Sequence, residues 1–158
     1  MDGILEAYCD GGCSPNPGES SLAWVILHKN KPYRGSKYLG MGTNNTAELN
    51  AAVDVLRFIK THFLYEGYAS MIVYSDSSYT VKGITTWIIK WVKNNWKDSK
   101  KAPVKNSEIW SELHKLVTEF PIPVQFEWVK GHSGNKYNEE CDIMATRALT
   151  RREGHHGN

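Results

Sequence analysis

Residues 21–38 read SLAWVILHKNKPYRGSKY, and this stretch decides the fold class. Ser21 to His28 is a run of strand formers and Tyr33 to Tyr38 reads as a second strand. Lys29-Asn30-Lys31-Pro32 between them has turn chemistry. Upstream, Ile4 to Asp10 reads as another strand, so the chain opens with an antiparallel meander of three. Downstream the period changes. From Asn45 the apolar residues Leu49, Ala52, Val53, Leu56, Ile59 and Phe63 recur at helical spacing, ending near Glu66-Gly67. Met71 to Tyr74 is a short buried strand, and Ser77 to Asn95 is helical with an interruption at Gly83. Ser107 to Phe120 is a further helix, stopped by Pro121 and Pro123. Val124 to Val129 is a fifth strand, Gly131 to Asn135 a loop, and Asn138 to about Thr150 a last helix. The polar tail, residues 151–158, is expected to fray.

Helical crossovers make the later strands parallel, which predicts an α/β protein with a mixed sheet flanked by helices. In such sheets a ligand sits beyond the carboxyl ends of the parallel strands. Length and composition agree with one domain over residues 1–150: the chain has 158 residues, 41% apolar and 23% charged. The longest plainly apolar run, Leu22 to Leu27, is far short of the ~20 residues that cross a bilayer, so no membrane association is expected. Met1 opens no secretory segment, and Cys9, Cys13 and Cys141 make no even framework. A cytoplasmic protein with free thiols is expected.

The net charge of +2 conceals a division along the chain. Residues 82–105 carry seven lysines against Asp98 alone, a balance of +6, and the other 134 residues carry −4. A lysine run is often no more than a solvated helix face. Inside an acidic domain it is also the footprint of a protein that holds a polyanion with one part and a cation with another.

Asp10 ends the first strand and Asp76 follows the fourth, so neighbouring strands would bring the two carboxylates together. Glu48 and Asp142 are each read in the first turn of a helix, where an acid is favoured by the macrodipole alone. Asn45-Thr46-Ala47-Glu48 has the form of a capping box. Four acids gathered at one place would repel unless a cation neutralised them. Oxygen donors suit hard Mg2+ or Mn2+. Zinc would want a second ligand pair that Cys9-Asp-Gly-Gly-Cys13 lacks. Two such ions clamp the attacking and leaving oxygens of a phosphodiester cleavage.

Four segments carry a family resemblance: Tyr8-Cys-Asp10-Gly-Gly-Cys13-Ser-Pro-Asn16-Pro-Gly18, Thr43-Asn44-Asn45-Thr46-Ala47-Glu48, Tyr74-Ser75-Asp76-Ser77, and Trp128-Val-Lys-Gly-His132-Ser-Gly-Asn-Lys-Tyr-Asn138-Glu-Glu-Cys-Asp142. In this order and spacing, from Ile4 to about Ala148, the chain resembles bacterial ribonuclease H of type 1. The resemblance implies cleavage of the RNA strand of an RNA/DNA hybrid with two Mg2+ ions, Mn2+ substituting, and leaves 3′-hydroxyl and 5′-phosphate ends. It implies strand order 3-2-1-4-5. It makes Asp10, Glu48, Asp76 and Asp142 the metal ligands and His132, flanked by Gly131 and Gly134, a mobile proton carrier.

For substrate contacts the resemblance points to Gly11, Cys13, Asn16, Asn44 and Asn45 along the hybrid's minor groove, with Glu48 also able to accept from a 2′-hydroxyl. Ser77 and Ser78 would lie beside them, and Thr43 would belong to a DNA phosphate pocket together with positions 41 and 90. Ser78 stands where the family pattern has glutamine, Met41 where it has arginine and Lys90 where it has asparagine. Lys90 could restore the charge missing at Met41. Residues 82–105, with Trp87, Trp91 and Trp96 among the lysines, resemble the family's basic protrusion. There Trp87 is expected to be largely structural, and Lys93, Lys97, Lys100 and Lys101 to bind phosphate. A protrusion of its own favours a free-standing monomer that needs no protein partner. Two rivals are a hybrid-binding module without catalysis and another nuclease or transposase of the same fold; the intact acids weigh against the first and the chain's length against the second.

Overall fold

The computed structural model describes residues 3–63 and 66–157, the last three by backbone alone. Strands β1 (Ile4–Ser14), β2 (Gly18–His28) and β3 (Lys31–Gly42) lead into helix α1 (Asn44–His62). Then come β4 (Ser70–Ser75), the short helices α2 (Ser78–Lys82) and α3 (Ile88–Lys93), α4 (Ser107–Glu119), β5 (Val124–Trp128), α5 (Lys136–Arg151) and β6 (His155–Gly157). The five principal strands are ordered 3-2-1-4-5, with β1 to β3 antiparallel and β4 and β5 parallel to β1.

β2 lies inside the sheet, and Leu22, Ala23, Trp24, Val25 and Ile26 are all buried, because both faces are covered. Leu22, Trp24 and Ile26 join Leu5, Ala7 and Cys9 of β1 under α1 and α4. Ala23 and Val25 face the other way, against Cys141 and Ala145 of α5. Each large side chain in the main layer contributes roughly 1.5–3 kcal/mol by leaving water. Polar links fix the layers: Trp24 Nε1 donates to Asp54 Oδ2 of α1 at 2.8 Å, and Arg34 pairs with Glu140 of α5 at 2.6 Å.

Several boundaries differ from the sequence reading. β1 continues through Gly11-Gly12-Cys13 to Ser14, residues with no strand propensity, because each pairs with β2 as far as Ser14 opposite Glu19. α1 starts at Asn44. Its capping box joins Thr43 to Thr46, not Asn45 to Glu48, and no acid lies in the first turn. Asp142 likewise sits well inside α5, whose first turn holds Glu139 behind the cap Asn135. Neither acid is therefore a cap. α1 ends at His62, and positions 64–65 of its expected extension lie outside the described residues. At Gly83 the helix does not break but widens into a π turn, Gly83–Trp87, between α2 and α3. The tail is not wholly frayed: Arg34, Gly35 and Ser36 of β3 pair with β6, so a short sixth strand covers that edge.

Candidate active site

The parallel pairing of β1 and β4 sets Cys9 opposite Ser75, which makes Asp10 and Asp76 the next positions on adjacent strands. Glu48 comes from α1 by a close crossing over Gly11. A Cβ on Gly11 would lie 2.2 Å from the Ala47 carbonyl carbon and 2.4 Å from the Glu48 nitrogen. With no side chain there, the Gly11 N–H donates to Glu48 Oε1 and, at 3.0 Å, to Asp10 Oδ1. Ligand oxygens of Asp10, Glu48 and Asp76 consequently lie within 4.8 Å of one another. Asp142 is outside that group, but its charge is felt at Asp10.

The electrostatics of this group suit a cation. Burial, reinforced by the charges of Asp76 and Asp142, pushes the Asp10 carboxyl up to about 8. Burial, then the neighbouring carboxylates of Asp10 and Asp76, hold Glu48 well above its usual range. The Cys9 thiol is also held well above its ordinary value, by burial first and then by the same acids, and offers no thiolate. An all-oxygen donor set in which burial keeps Asp10 and Glu48 from ionising readily fits a hard divalent cation.

Asp76 is held from β5 and α5. Trp128 Nε1 donates to its carbonyl at 3.1 Å and Asn138 Nδ2 to its Oδ2 at 3.3 Å, while Gly131 lies where a Cβ would come within 3.2 Å of that same oxygen. Asn138 is 2% exposed and its Oδ1 is a buried acceptor without a partner. The sequence reading gave neither Asn138 nor Trp128 a part in the site. Nothing in their spacing points to Asp76, 52 and 62 residues away. His132 is exposed on the loop before α5, with a left-handed backbone at φ 53°.

Cys13 Sγ contacts the Gly42 carbonyl at 3.4 Å, and the Asn44 N–H donates to Asn16 Oδ1 at 3.1 Å, which ties the turn after β1 to the start of α1. Cys13, Asn16 and Asn44 are thus brought together, and Asn45 follows in the first turn of α1. Thr43 caps α1 there. Ser77 is buried as the α2 cap, accepting from Thr80, while Ser78 is exposed. Gly11 is occupied with α1 and Glu48 as described. Lys90, Lys93, Lys97, Lys100 and Lys101 are all exposed. Trp87 is 37% exposed and packs edge-on to Tyr79 and against Trp91, which rests on the buried Trp110. Cys9, Cys13 and Cys141 are free thiols, and no described helix is long and apolar enough to cross a membrane.

Comparison with known proteins agrees with this geometry. Residues 2–150 match the family model for RNase H. A protein of Pelobacter propionicus named ribonuclease H is 38% identical over 152 residues, covering 95% of this chain and 87% of its own length. Among solved structures, LC9-RNase H1, described as a type 1 RNase H with the type 2 active-site motif, superposes with a TM-score of 0.82 at 21% identity, over 98% of this chain and 75% of its own. LC11-RNase H1, solved in complex with RNA/DNA hybrid, gives 0.72 at 20% identity over 94% and 98%. Fold, site and sequence agree that the chain belongs to the ribonuclease H family, as a type 1 member.

Proposed function

We propose that this chain is an endonuclease that hydrolyses the RNA strand of RNA/DNA hybrids by two-metal-ion catalysis and leaves 3′-hydroxyl and 5′-phosphate ends. The observation that carries the reading is the convergence of Asp10, Glu48 and Asp76 within 4.8 Å at the carboxyl ends of paired parallel strands. It is supported by relatives named ribonuclease H and by a shared fold with a protein seen holding a hybrid.

Asp10, Glu48 and Asp76 would hold Mg2+, with Mn2+ a substitute and Asp142 adding its charge from α5. When bound, a pair of such ions activates water and stabilises charge at the leaving oxygen. The chain's own residues prepare the site. Asp10 and Glu48 must release the protons that burial lets them keep, so loading is coupled to pH. Asn138 and Trp128 fix Asp76, and Gly11 admits Glu48. His132, exposed beside the site, accepts a proton and returns it in each turnover.

The surface of Cys13, Asn16, Asn44 and Asn45 offers donors and acceptors to a 2′-hydroxyl and suits the minor groove of a hybrid. Thr43, Lys90 and the lysines of residues 82–105 take the DNA phosphates, and exposed Ser78 lies beside them. Gly11 and Ser77 serve indirectly, since their polar atoms are already engaged. Residues 1–150 act as one domain, with 82–105 as its protrusion and 151–158 as a tail. The protein works as a cytoplasmic monomer that needs no partner beyond the hybrid.

The test is cleavage of an end-labelled RNA/DNA hybrid with Mg2+, with double-stranded RNA and DNA as controls. Hybrid-restricted cleavage to 3′-hydroxyl products is expected. Binding without cleavage would make the chain a hybrid-binding module instead.

A further inference from the structure

Asp98 is the single acid among the seven lysines of residues 82–105, and its carboxylate serves backbone rather than ammonium groups. Its Oδ1 accepts from the N–H of Lys100 at 2.8 Å and of Ala102 at 3.0 Å. Its own N–H donates to the Ala102 carbonyl at 2.8 Å, and its carbonyl accepts from Lys101 N–H at 3.0 Å. Lys97 and Pro103 then bridge, and Val104 N–H closes onto the Trp96 carbonyl at 2.9 Å. Among the described residues Asp98 makes no ion pair, although lysines surround it in sequence. The loop needs holding. Trp96 and Lys101 both have left-handed backbones, at φ 60° and 63°, which a side chain larger than glycine adopts only under constraint.

We propose that Asp98 is a positioning residue for the DNA strand of the substrate: by organising residues 97–103 into a closed loop it presents Lys97, Lys100 and Lys101 as a preformed phosphate-binding array. A flexible loop would bear the cost of ordering three long cations on each encounter, whereas a closed one has met that cost in folding. The inference rests on the reading that these lysines take phosphates.

It makes a prediction opposite in sign to simple electrostatics. If Asp98 mattered only as charge, its removal would raise the block from +6 to +7 and tighten binding to a polyanion. If it matters as an acceptor, Asp98→Ala loosens the array and weakens binding, while Asp98→Asn keeps the acceptor oxygen and preserves it.

The experiment measures KM, kcat and the salt dependence of affinity on a long RNA/DNA hybrid for wild type, Asp98→Ala, Asp98→Asn and the quadruple alanine variant of Lys93, Lys97, Lys100 and Lys101. Asp98→Ala should raise KM about threefold to tenfold, flatten the slope of log affinity against log salt by about one unit for each phosphate no longer held, and leave kcat unchanged. Asp98→Asn, which keeps the acceptor while also raising the block to +7, should bind at least as tightly as wild type with a slope at least as steep. Asp98→Ala binding as tightly as wild type or tighter would overturn the role of Asp98, and so would Asp98→Asn as weak as Asp98→Ala. A quadruple variant with the wild-type slope would remove the phosphate reading and this inference with it. A weakened quadruple variant beside an unweakened Asp98→Ala would overturn the inference alone.

Discussion

Asp10 ionises near 3.8 in the unfolded chain and at about 8 in the folded, metal-free protein. Between those values the native state binds a proton that the unfolded state has lost, so stability falls as pH rises through the window. Melting of the metal-free protein at about pH 5 and about pH 8 should therefore show a lower Tm at the higher pH, and Asp10→Asn should flatten the difference. Mg2+ should raise Tm more at the higher pH, where its ligands are easier to ionise; equal melting at both would contradict the burial of Asp10 as the cause. The role proposed for His132 is different, since it stands outside the carboxylate group. His132→Ala should lower kcat by about 10- to 100-fold with little change in KM, and a loss as deep as that of Asp10→Asn would give it a different role. The acids were legible as types in motif context. What was not legible is how each is held, because Asn138 and Trp128 meet Asp76 only through the packing of α5 and β5.

The elements were legible wherever apolar periodicity marks them, as in α1 with Leu49, Val53, Leu56 and Ile59 on its buried side. They were misjudged where pairing or packing overrides local preference. Gly11-Gly12-Cys13 is strand because β2 lies beside it, and Gly83 permits a helix to continue because the Trp110 ring occupies the place of its missing side chain, 2.0 Å from a built Cβ. The β1 and α1 crossing is the contact on which the site depends. Gly11→Ala puts a methyl group into the Ala47 carbonyl and forces α1 away, which should cost about 1–3 kcal/mol by urea unfolding. Cleavage should fall as well, because Glu48 moves with the helix. A variant as stable and active as wild type would show that the crossing has slack.

At the scale of the whole molecule charge and carboxylates are carried by different segments: the lysines of the +6 block are exposed on residues 82–105, and Asp10, Glu48 and Asp76 gather where α1 meets the ends of β1 and β4. Binding and chemistry should therefore separate in mutants. Replacing Lys93, Lys97, Lys100 and Lys101 by alanine should raise KM and flatten the salt slope while kcat is nearly kept, because phosphate contacts of the proposed kind would serve ground and transition states alike. A solvated face that touches no substrate would leave the slope unchanged. The central claim is that Asp10, Glu48 and Asp76 form one cation-dependent catalytic unit, and the most direct measurement is the single-turnover cleavage rate of Asp10→Asn on a hybrid at saturating Mg2+. Asparagine keeps the shape and removes the charge; the account predicts hybrid binding near wild type with cleavage abolished, whereas a variant retaining more than about a tenth of the wild-type rate would contradict it.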